Sequence, residues 1–401
     1  MNPDQKPQKQ TRRPAKMSGA MIACITVIAL VVGYIAGTRS YEIEAVVGPL
    51  FGRHISADTI DLRRTEEVYR LLKANFDGDL DSTKLSEGAA AGLVAAADDP
   101  HTTYLNAEQA AEFDRQLKGE VSGIGAEIGV RNDQPTILRV ISNSPAERAG
   151  VKAGDVIVSV DDKLTNKADA TTTADLIRGD ADTKVKLILM RERTAKEFTI
   201  TRAKVTDPSV GSSVEDGVGI IRIRRFDSDT GTLARAAAEK LKDSGVHGVI
   251  LDLRDNPGGY LEQSQQVAGL WLDHKLVVTE RRGGTQTDAL DATGLPVLAG
   301  IKTVVLVNKG SASASEIVAG ALKDHKVATL IGETTYGKGT VQQVMSLADG
   351  AQLKVTIAHW YTPNGVNITK KGIDPDKKVE LSLEDLNAGR DPQLQEAMKA
   401  F

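Results

Sequence analysis

Three serines beside a run of small residues offer a candidate nucleophile in the second half of the chain. Ser311, Ser313 and Ser315 lie within Asn308–Glu316, at the start of a helical pattern. Small side chains let another backbone, such as that of a bound peptide, approach a serine closely. Ser313 and Glu316 also fit the S-x-x-E capping box, in which the serine only satisfies helical N–H groups. A helix start nevertheless favours a nucleophile, because its N–H groups stabilise a developing oxyanion.

A lysine between two glycines offers the matching base. Lys338 lies between Gly337 and Gly339, and a lysine acts as a base only where its surroundings keep it neutral. The same stretch, starting at Gly332, nearly spells a phosphate-binding P-loop. That alternative is disfavoured because Gly339 has no hydroxyl for Mg²⁺ and the residues after Thr340 do not have a helical pattern. A surface lysine in a glycine turn is the remaining alternative.

Other catalytic and metal-binding patterns are missing from the sequence. None of the six histidines fits a serine triad or an H-E-x-x-H metal motif, and G-x-S-x-G does not occur. The one cysteine, Cys24, excludes an internal disulfide and a cysteine-based zinc cluster. We therefore predict neither a metal nor a cofactor.

The composition is that of a globular protein of several domains. The chain has 401 residues, of which 41% are apolar and 26% charged, and its length suggests about two or three domains. A formal net charge of -4 gives no reason to expect a nucleic-acid partner. A nucleotide partner is not expected either, because the P-loop pattern is incomplete.

The N-terminus has the pattern of a membrane anchor. Residues 1–16 carry five basic side chains and one acid, and residues 17–37 carry no charge. A helix of that second segment would be about 31 Å long, enough to span a bilayer. The positive-inside rule places the basic segment in the cytoplasm and everything after the span outside the cell membrane. A cleaved signal peptide is the rival interpretation, but no clean A-x-A site follows the apolar run.

The elements that must position the serine and the lysine follow in order. Residues 38–118 have a helical pattern, and residues 119–204 consist of glycine-punctuated strands. Residues 205–380 alternate between strands and helices, which predicts a largely buried α/β sheet. Residues 381–401 are a polar, helical tail without a site signal.

The segment from about Glu120 to Lys204 resembles a PDZ domain, an α+β fold. Its Pro-Ala-x-x-Ala-Gly and Gly-Asp-x-Ile elements are in register with that pattern. The resemblance implies that backbone N–H groups of the loop Ser122, Gly123, Ile124 and Gly125 bind a peptide C-terminal carboxylate. An ordinary glycine turn is the alternative for this loop.

Several motifs together resemble the carboxyl-terminal processing proteases, the tail-specific serine proteases of peptidase family S41. The matching stretches are Asp98–Leu105, Asp252–Gly259, Asn308–Ile317 and Gly332–Gln342. The resemblance covers about Asp58 to Val379 in the expected order. It implies a crotonase/ClpP-like α/β core with an N-terminal helical module and an inserted PDZ domain.

The resemblance also implies the site residues. It gives Ser313 as the nucleophile, Lys338 as the general base and Gln342 as its support, with oxyanion N–H groups from Ala314 and from either Gly258 or Gly259. A lysine base requires burial that lowers its pKa by several units from about 10.4. The residues alone do not choose Ser313 among the three serines.

The sequence therefore predicts a membrane-anchored, extracytoplasmic serine endopeptidase that cleaves protein substrates near their C-termini, guided or gated by its PDZ domain. The alternative is a catalytically silent PDZ scaffold on the same fold. Arg178, at the end of the PDZ helix, is a candidate for coupling the PDZ domain to the protease, although a solvated helix end is the simpler interpretation. A homo-oligomer is compatible with the resemblance.

Overall fold

The computed structural model describes residues 60–117, 120–132, 134–165, 170–382, 384–385 and 388–401, together with Thr26, Ala29 and Gly33. The predicted basic segment 1–16 and the predicted anchor 17–37 lie outside the described residues, apart from those three positions. Among the described residues, no helix is long and apolar enough to cross a membrane. The chain divides into two compact units, Met1–Leu85 and Ser86–Phe401.

Helices dominate the first described residues, as the apolar spacing predicts. They are α1 (Arg63–Asn75), α2 (Ser82–Ala95) and α3 (Ala107–Leu117). A short strand, β1 (Thr103–Leu105), precedes α3 and was not predicted. Its partner is distant in sequence, since Thr103 lies opposite Lys354. Local periodicity carries no information about such a pairing.

A small α+β module follows. Its strands are β2 (Glu120–Gly123), β3 (Ala126–Arg131), β4 (Gln134–Val140), β5 (Val156–Val160), β6 (Lys163–Leu164), β7 (Lys184–Arg191), β8 (Thr194–Thr201) and β9 (Ala203–Thr206), and its helices are α4 (Pro145–Ala149) and α5 (Ala170–Ile177). The main sheet is antiparallel and ordered β3-β4-β5-β7-β8, with β3 at one edge. Val185, Leu187 and Leu189 alternate inward along β7 to form its core. Strands β2 and β9 pair at the base of the module.

The rest of the chain builds a larger α/β region. Its strands are β10 (Val210–Glu215), β11 (Val218–Ile223), β12 (Gly248–Asp252), β13 (Leu276–Arg282), β14 (Thr285–Asp291), β15 (Lys302–Val307), β16 (Thr329–Gly332), β17 (Thr340–Ser346), β18 (Gln352–Tyr361) and β19 (Lys377–Lys378), and its helices are α6 (Thr230–Asp243), α7 (Leu261–Ala268), α8 (Ala314–Asp324) and α9 (Pro392–Met398).

Six strands form a mostly parallel sheet in the order β10-β11-β12-β15-β16-β19, with only β10 antiparallel to its neighbour. Every residue of β12 is buried, because apolar side chains cover both faces of the sheet. Residues of α6, α7 and α8 pack on one face. Ala397 of α9 packs with Ile250 and Leu306 on the other. Continuous burial explains the uninterrupted apolar runs in these strands.

A second, antiparallel sheet contains β1, β18, β13 and β14, with β17 paired to β18. The β13–β14 hairpin of this sheet was not predicted. Trp360 of β18 and Val278 of β13 share one buried cluster with residues of α8. Helix α8, which begins at the candidate serine, therefore lies against both sheets.

The predicted tail, residues 381–401, contains the helix α9 and packs against the large sheet. Gln393 and Ala397 are fully buried, and Asp391 caps α9 and pairs with Arg254 at 2.9 Å. The helix itself is short, Pro392–Met398.

Candidate active site

Ser313 lies at a sharp turn between β15 and α8. It is the N-cap of α8, as the S-x-x-E pattern predicts, and its backbone has φ 56° and ψ -118°. A non-glycine residue in such a conformation costs about 1–3 kcal/mol and is typical of functional sites. A strained serine on a strand-to-helix turn is also the geometry of a nucleophile elbow.

The other two serines have structural contacts. Ser311 is fully buried, donates its hydroxyl to Leu253 O at 2.8 Å and accepts the Asn308 N–H. Ser315 is fully buried and donates to Asn256 O at 3.0 Å. Ser313 is only partly buried. The geometry thus favours Ser313, a choice that the residues alone left open.

Glu316 connects the serine turn to the lysine loop. Its Oε2 accepts the N–H of Ser313 at 2.9 Å and the N–H of Lys338 at 3.0 Å. Its Oε1 accepts from Thr335 Oγ1 at 2.6 Å and from the N–H of Gly337 at 2.7 Å. The sequence predicted only the bond to Ser313, through the capping box. The contacts to the lysine loop had no sequence signal.

The Glu316 carboxyl is fully buried, and burial raises its pKa, while these hydrogen bonds oppose the rise. Three of the four partners are backbone N–H groups, which can only donate, and the Thr335 hydroxyl, which accepts the Ile373 N–H, donates to Oε1. Four donors fit an ionised carboxylate, which has only acceptors. These contacts are compatible with an ionised Glu316 carboxylate that joins the serine turn to the lysine loop.

The environment of Lys338 makes its amine easier to deprotonate. Burial, followed by the positive charge of Lys354, lowers the pKa of Lys338 to about 8, and the Glu316 charge opposes this shift. Within the described residues, no hydrogen bond to the Lys338 Nζ is formed. A free amine with a pKa near 8 can accept a proton close to neutral pH.

The glycines on either side of Lys338 let another backbone segment pack closely against the lysine loop. A Cβ on Gly337 would lie 2.7 Å from Gly372 N, and one on Gly339 would lie 2.7 Å from Thr369 N. The loop of Lys338 is thus packed against the segment 367–372. Residues 340–346 then form strand β17, which is inconsistent with the helix that a P-loop requires.

The glycine loop before α7 lies against Ser313. A Cβ on Gly258 would lie 2.6 Å from Ser313 Cβ and 3.0 Å from Ala314 N. The Gly258 N–H is already donated to Asn256 Oδ1 at 2.9 Å. Among the described residues, the N–H groups of Gly259 and Ala314 have no acceptor. These two are the groups that remain available to an oxyanion.

Gln342 is not hydrogen-bonded to Lys338 among the described residues. It lies on β17, and its Nε2 donates to Thr340 Oγ1 at 2.8 Å and to Thr356 Oγ1 at 3.2 Å. A bulge in the β17–β18 pairing places Thr356 opposite it. The predicted support of the base by Gln342 therefore stays a prediction.

The predicted loop Ser122–Gly125 is a loop only in part: Ser122 and Gly123 end β2, paired with β9, while Ile124 and Gly125 form the bend before the edge strand β3. Ser122 Oγ donates to Gly179 O at 2.7 Å, and the Ile124 side chain is buried in the module core. Gly125 has φ 78°, and a Cβ there would lie 2.4 Å from Ser144 Cβ. A backbone bend next to the edge of β3 is compatible with carboxylate binding, which stays a prediction.

Among the described residues, Arg178 forms an ion pair only with a residue of α5, the helix that it follows. Its Nη1 pairs with Asp175 at 2.6 Å, and half of each side chain or more is exposed. This is the solvated helix end that was the simpler interpretation of Arg178. Its coupling role stays a prediction.

Other residues connect the small module to the glycine loop. Arg139 on β4 pairs with Asp207 at 2.6 Å, and Arg225 pairs with Asp207 at 3.6 Å. The next residue, Phe226, donates its N–H to Gly258 O at 2.8 Å. No sequence pattern predicted this connection, because its residues are far apart in the chain.

Comparisons with known proteins agree with this geometry. Profiles described as "Peptidase family S41", "PDZ domain" and "Activating protease CtpB N-terminal domain" match residues 217–379, 136–191 and 50–109. A "Probable CtpA-like serine protease" of Staphylococcus haemolyticus (strain JCSC1435) is 34% identical over 360 residues, which are 88% of this chain and 72% of the relative. One of the same description from Staphylococcus aureus (strain N315) is 37% identical over 326 residues, 80% of this chain and 66% of the relative.

A solved structure is also similar in sequence and fold. The photosystem II D1 C-terminal processing protease is 32% identical, with a TM-score of 0.53, over 80% of this chain and 87% of that chain. The chain is shorter than the Staphylococcus relatives, since it spans just under two thirds of the second.

Proposed function

The chain belongs to peptidase family S41 and is a serine peptidase, and from this premise we propose that Ser313 and Lys338 form its catalytic dyad. The observation that carries the proposal is the Glu316 carboxylate, which binds the backbone of both residues through one oxygen. The strained turn at Ser313 and the lowered pKa of Lys338 support it.

The reaction uses the neutral Lys338 amine as a general base. It accepts the Ser313 hydroxyl proton as Oγ attacks the peptide carbonyl, and it returns this proton to the leaving amine. The N–H groups of Ala314 and Gly259 stabilise the oxyanion of the tetrahedral intermediate. A water molecule, deprotonated by the same amine, then releases the acyl group from Ser313. Gly259 rather than Gly258 has this role because the Gly258 N–H is bonded to Asn256.

The substrate is a protein with an accessible C-terminus. The loop Ser122–Gly125 and the edge of β3 bind the terminal residues by strand addition, and the chain is cut near that end. The Arg139–Asp207–Arg225 contacts offer a route by which this binding affects the glycine loop. The module thus guides or gates the protease.

The enzyme works outside the cytoplasm, anchored by residues 17–37. This part of the proposal rests on the charge-free segment and the basic residues before it. Extraction of membranes with alkaline carbonate tests it. The full chain should stay in the membrane fraction, while a variant lacking residues 1–40 should be released.

The proposed function is tested with the full chain in detergent micelles. The substrate is an unfolded protein with an apolar C-terminus, and the fragments are weighed by mass spectrometry. We expect cleavage near the C-terminus by the wild type and none by Ser313→Ala or Lys338→Ala. Undiminished cleavage by both variants would contradict the dyad. Amidation of the substrate C-terminus should slow cleavage if the carboxylate is recognised.

A further inference from the structure

A series of hydrogen bonds leads from the segment before β1 to Gln342. The Thr102 hydroxyl donates to Asp99 Oδ2 at 2.6 Å, and its oxygen accepts the Thr356 N–H at 3.1 Å. The Thr356 hydroxyl then accepts from Gln342 Nε2 at 3.2 Å. Asp99 is held in turn by the His101 N–H at 3.1 Å. Two of these contacts join segments more than ten residues apart in the chain, so they are tertiary and not part of one local turn.

The sheet explains why these groups meet. Strand β18 pairs with β1 on one side, where Thr103 lies opposite Lys354, and with β17 on the other. Thr356 therefore presents its N–H to Thr102 and its hydroxyl to Gln342. The bulge between Val341 and Gln342 sets this register, because without it Gln342 would oppose a different residue of β18.

The same segment lies near the base. Burial, followed by the positive charge of Lys338, lowers the pKa of the His101 imidazole. Asp99 and Thr102 flank His101, so the segment that holds Thr356 is within electrostatic reach of Lys338. With its Nε2 bound to two threonine hydroxyls, Gln342 has its amide oxygen left to accept from the Lys338 amine.

We propose that Asp99, Thr102 and Thr356 are positioning residues that fix the Gln342 amide so that its oxygen orients the Lys338 base. This inference rests on the proposed function, because it assumes that Lys338 is the base. A base must be aligned with the proton that it accepts, and small displacements of catalytic groups slow the chemical step strongly. The three residues act through Gln342 and do not touch the substrate.

The test removes one hydroxyl from the series and asks whether its effect depends on Gln342. Thr102→Val keeps the shape of the side chain but cannot donate or accept. We expect kcat to fall about tenfold with an unchanged KM, and Thr102→Ser to restore it. Gln342→Ala should lower kcat as well, and Thr102→Val should then have no further effect. Thr287→Val, on the exposed β14, is the matched control and should leave kcat unchanged.

Thermal unfolding shows whether each variant is folded. Asp99→Asn weakens the first hydrogen bond of the series and leaves the strand pairing unchanged. Its weaker acceptor should lower kcat about threefold, because hydrogen bonds to a charged group are roughly twice as strong. An unchanged kcat in Thr102→Val, or full additivity with Gln342→Ala, overturns the positioning role while Ser313-dependent cleavage persists. Wild-type cleavage that survives Ser313→Ala overturns the proposed function, and with it this inference.

Discussion

Ser313 and Lys338 donate their backbone N–H groups to the same oxygen of one buried carboxylate, at 2.9 and 3.0 Å. The two segments are separated in the chain by α8 and β16. The Glu316 carboxylate therefore fixes the distance between the serine turn and the lysine loop. Its negative charge also opposes the loss of the Lys338 proton, so its position is a compromise between geometry and basicity.

Glu316→Gln tests whether the Glu316 carboxylate holds the serine turn and the lysine loop together. An amide keeps the size of the carboxyl, but its NH₂ group cannot accept the two N–H groups that now share Oε2. We expect the free energy of unfolding to fall by about 2–3 kcal/mol, and kcat to fall on the order of 100-fold. Urea denaturation and cleavage rates measure both. Glu239→Gln, at an exposed position of α6, should change neither quantity. An equal loss in both variants would contradict this role of Glu316.

The rate of cleavage should rise with pH through the Lys338 pKa of about 8, because only the neutral amine accepts a proton. Lys354 lies on β18, with its Nζ 5.6 Å from the centre of the Phe113 ring, and its charge lowers that pKa. Lys354→Met removes the repulsion. The apparent pKa of the profile should then move upward, and the rate at pH 7 should fall.

The pH profile of Lys240→Met, a change at an exposed lysine of α6, serves as the control. It should match that of the wild type. A flat wild-type profile under conditions where chemistry limits the rate would argue against a lysine base.

Lys338→Met should abolish cleavage and stabilise the fold. Burial of the charged amine costs free energy wherever the folded chain binds the proton less tightly than the unfolded chain. A pKa lowered from 10.5 to about 8 corresponds to at most about 3–4 kcal/mol, and the gain should be complete below pH 8. It should shrink as the pH rises above 8 and vanish above 10.5, where the lysine is neutral in both the folded and the unfolded chain. Urea denaturation at both ends of this range measures it, and equal stability of the variant and the wild type at pH 7 would contradict the buried charge.

The sequence predicted those parts of the site that have a local sequence pattern. The buried strands β12 and β15 are continuous apolar runs, and the helix start at Ser313 follows from S-x-x-E. The PDZ-like module carries its own turn motifs. Each of these signals lies within about ten residues, the range over which periodicity and capping act.

What the sequence could not predict depends on pairing between distant segments. Strand β1 and the β13–β14 hairpin belong to a sheet whose register is set by β18. The second role of Glu316 and the series from Asp99 to Gln342 require two loops to meet in space. A capping glutamate looks the same in sequence whether or not a lysine loop packs on it.

Gly258→Ala should inactivate the enzyme by a steric effect that a matched glycine does not share. Gly258 has φ 97° and Gly283 has φ 56°, so alanine is strained at both, at a cost of about 1–2 kcal/mol. A Cβ at Gly258 would lie 2.6 Å from Ser313 Cβ, whereas one at Gly283 would meet nothing within 4 Å. We expect at least about a 100-fold loss of kcat in Gly258→Ala only, since the oxyanion groups move. Equal activities would place the glycine loop outside the site.

Asp391→Asn should separate the charge at the start of α9 from its capping role. Asp391 accepts from Arg254 Nη1 at 2.9 Å and from the Leu394 N–H at 2.9 Å. Burial raises the pKa of this carboxyl, but the Arg254 contact and the capping bond outweigh it, so that its pKa lies below 3.8. Asparagine caps a helix equally well, so the variant loses only the charge.

We expect a loss of about 1–2 kcal/mol at pH 7, since a partly buried partner of an arginine is removed. The carboxylate stabilises the fold above its unfolded pKa, and this contribution is lost as the pH falls through the lower folded value. The difference between wild type and variant should therefore be constant near neutral pH and vanish below pH 3.8. Asp273→Asn, at an exposed residue, should show no such dependence.

Because Arg254 precedes the Asn256–Gly259 loop, cleavage by Asp391→Asn should also slow at neutral pH. An unchanged rate would mean that α9 stabilises the sheet without affecting the loop.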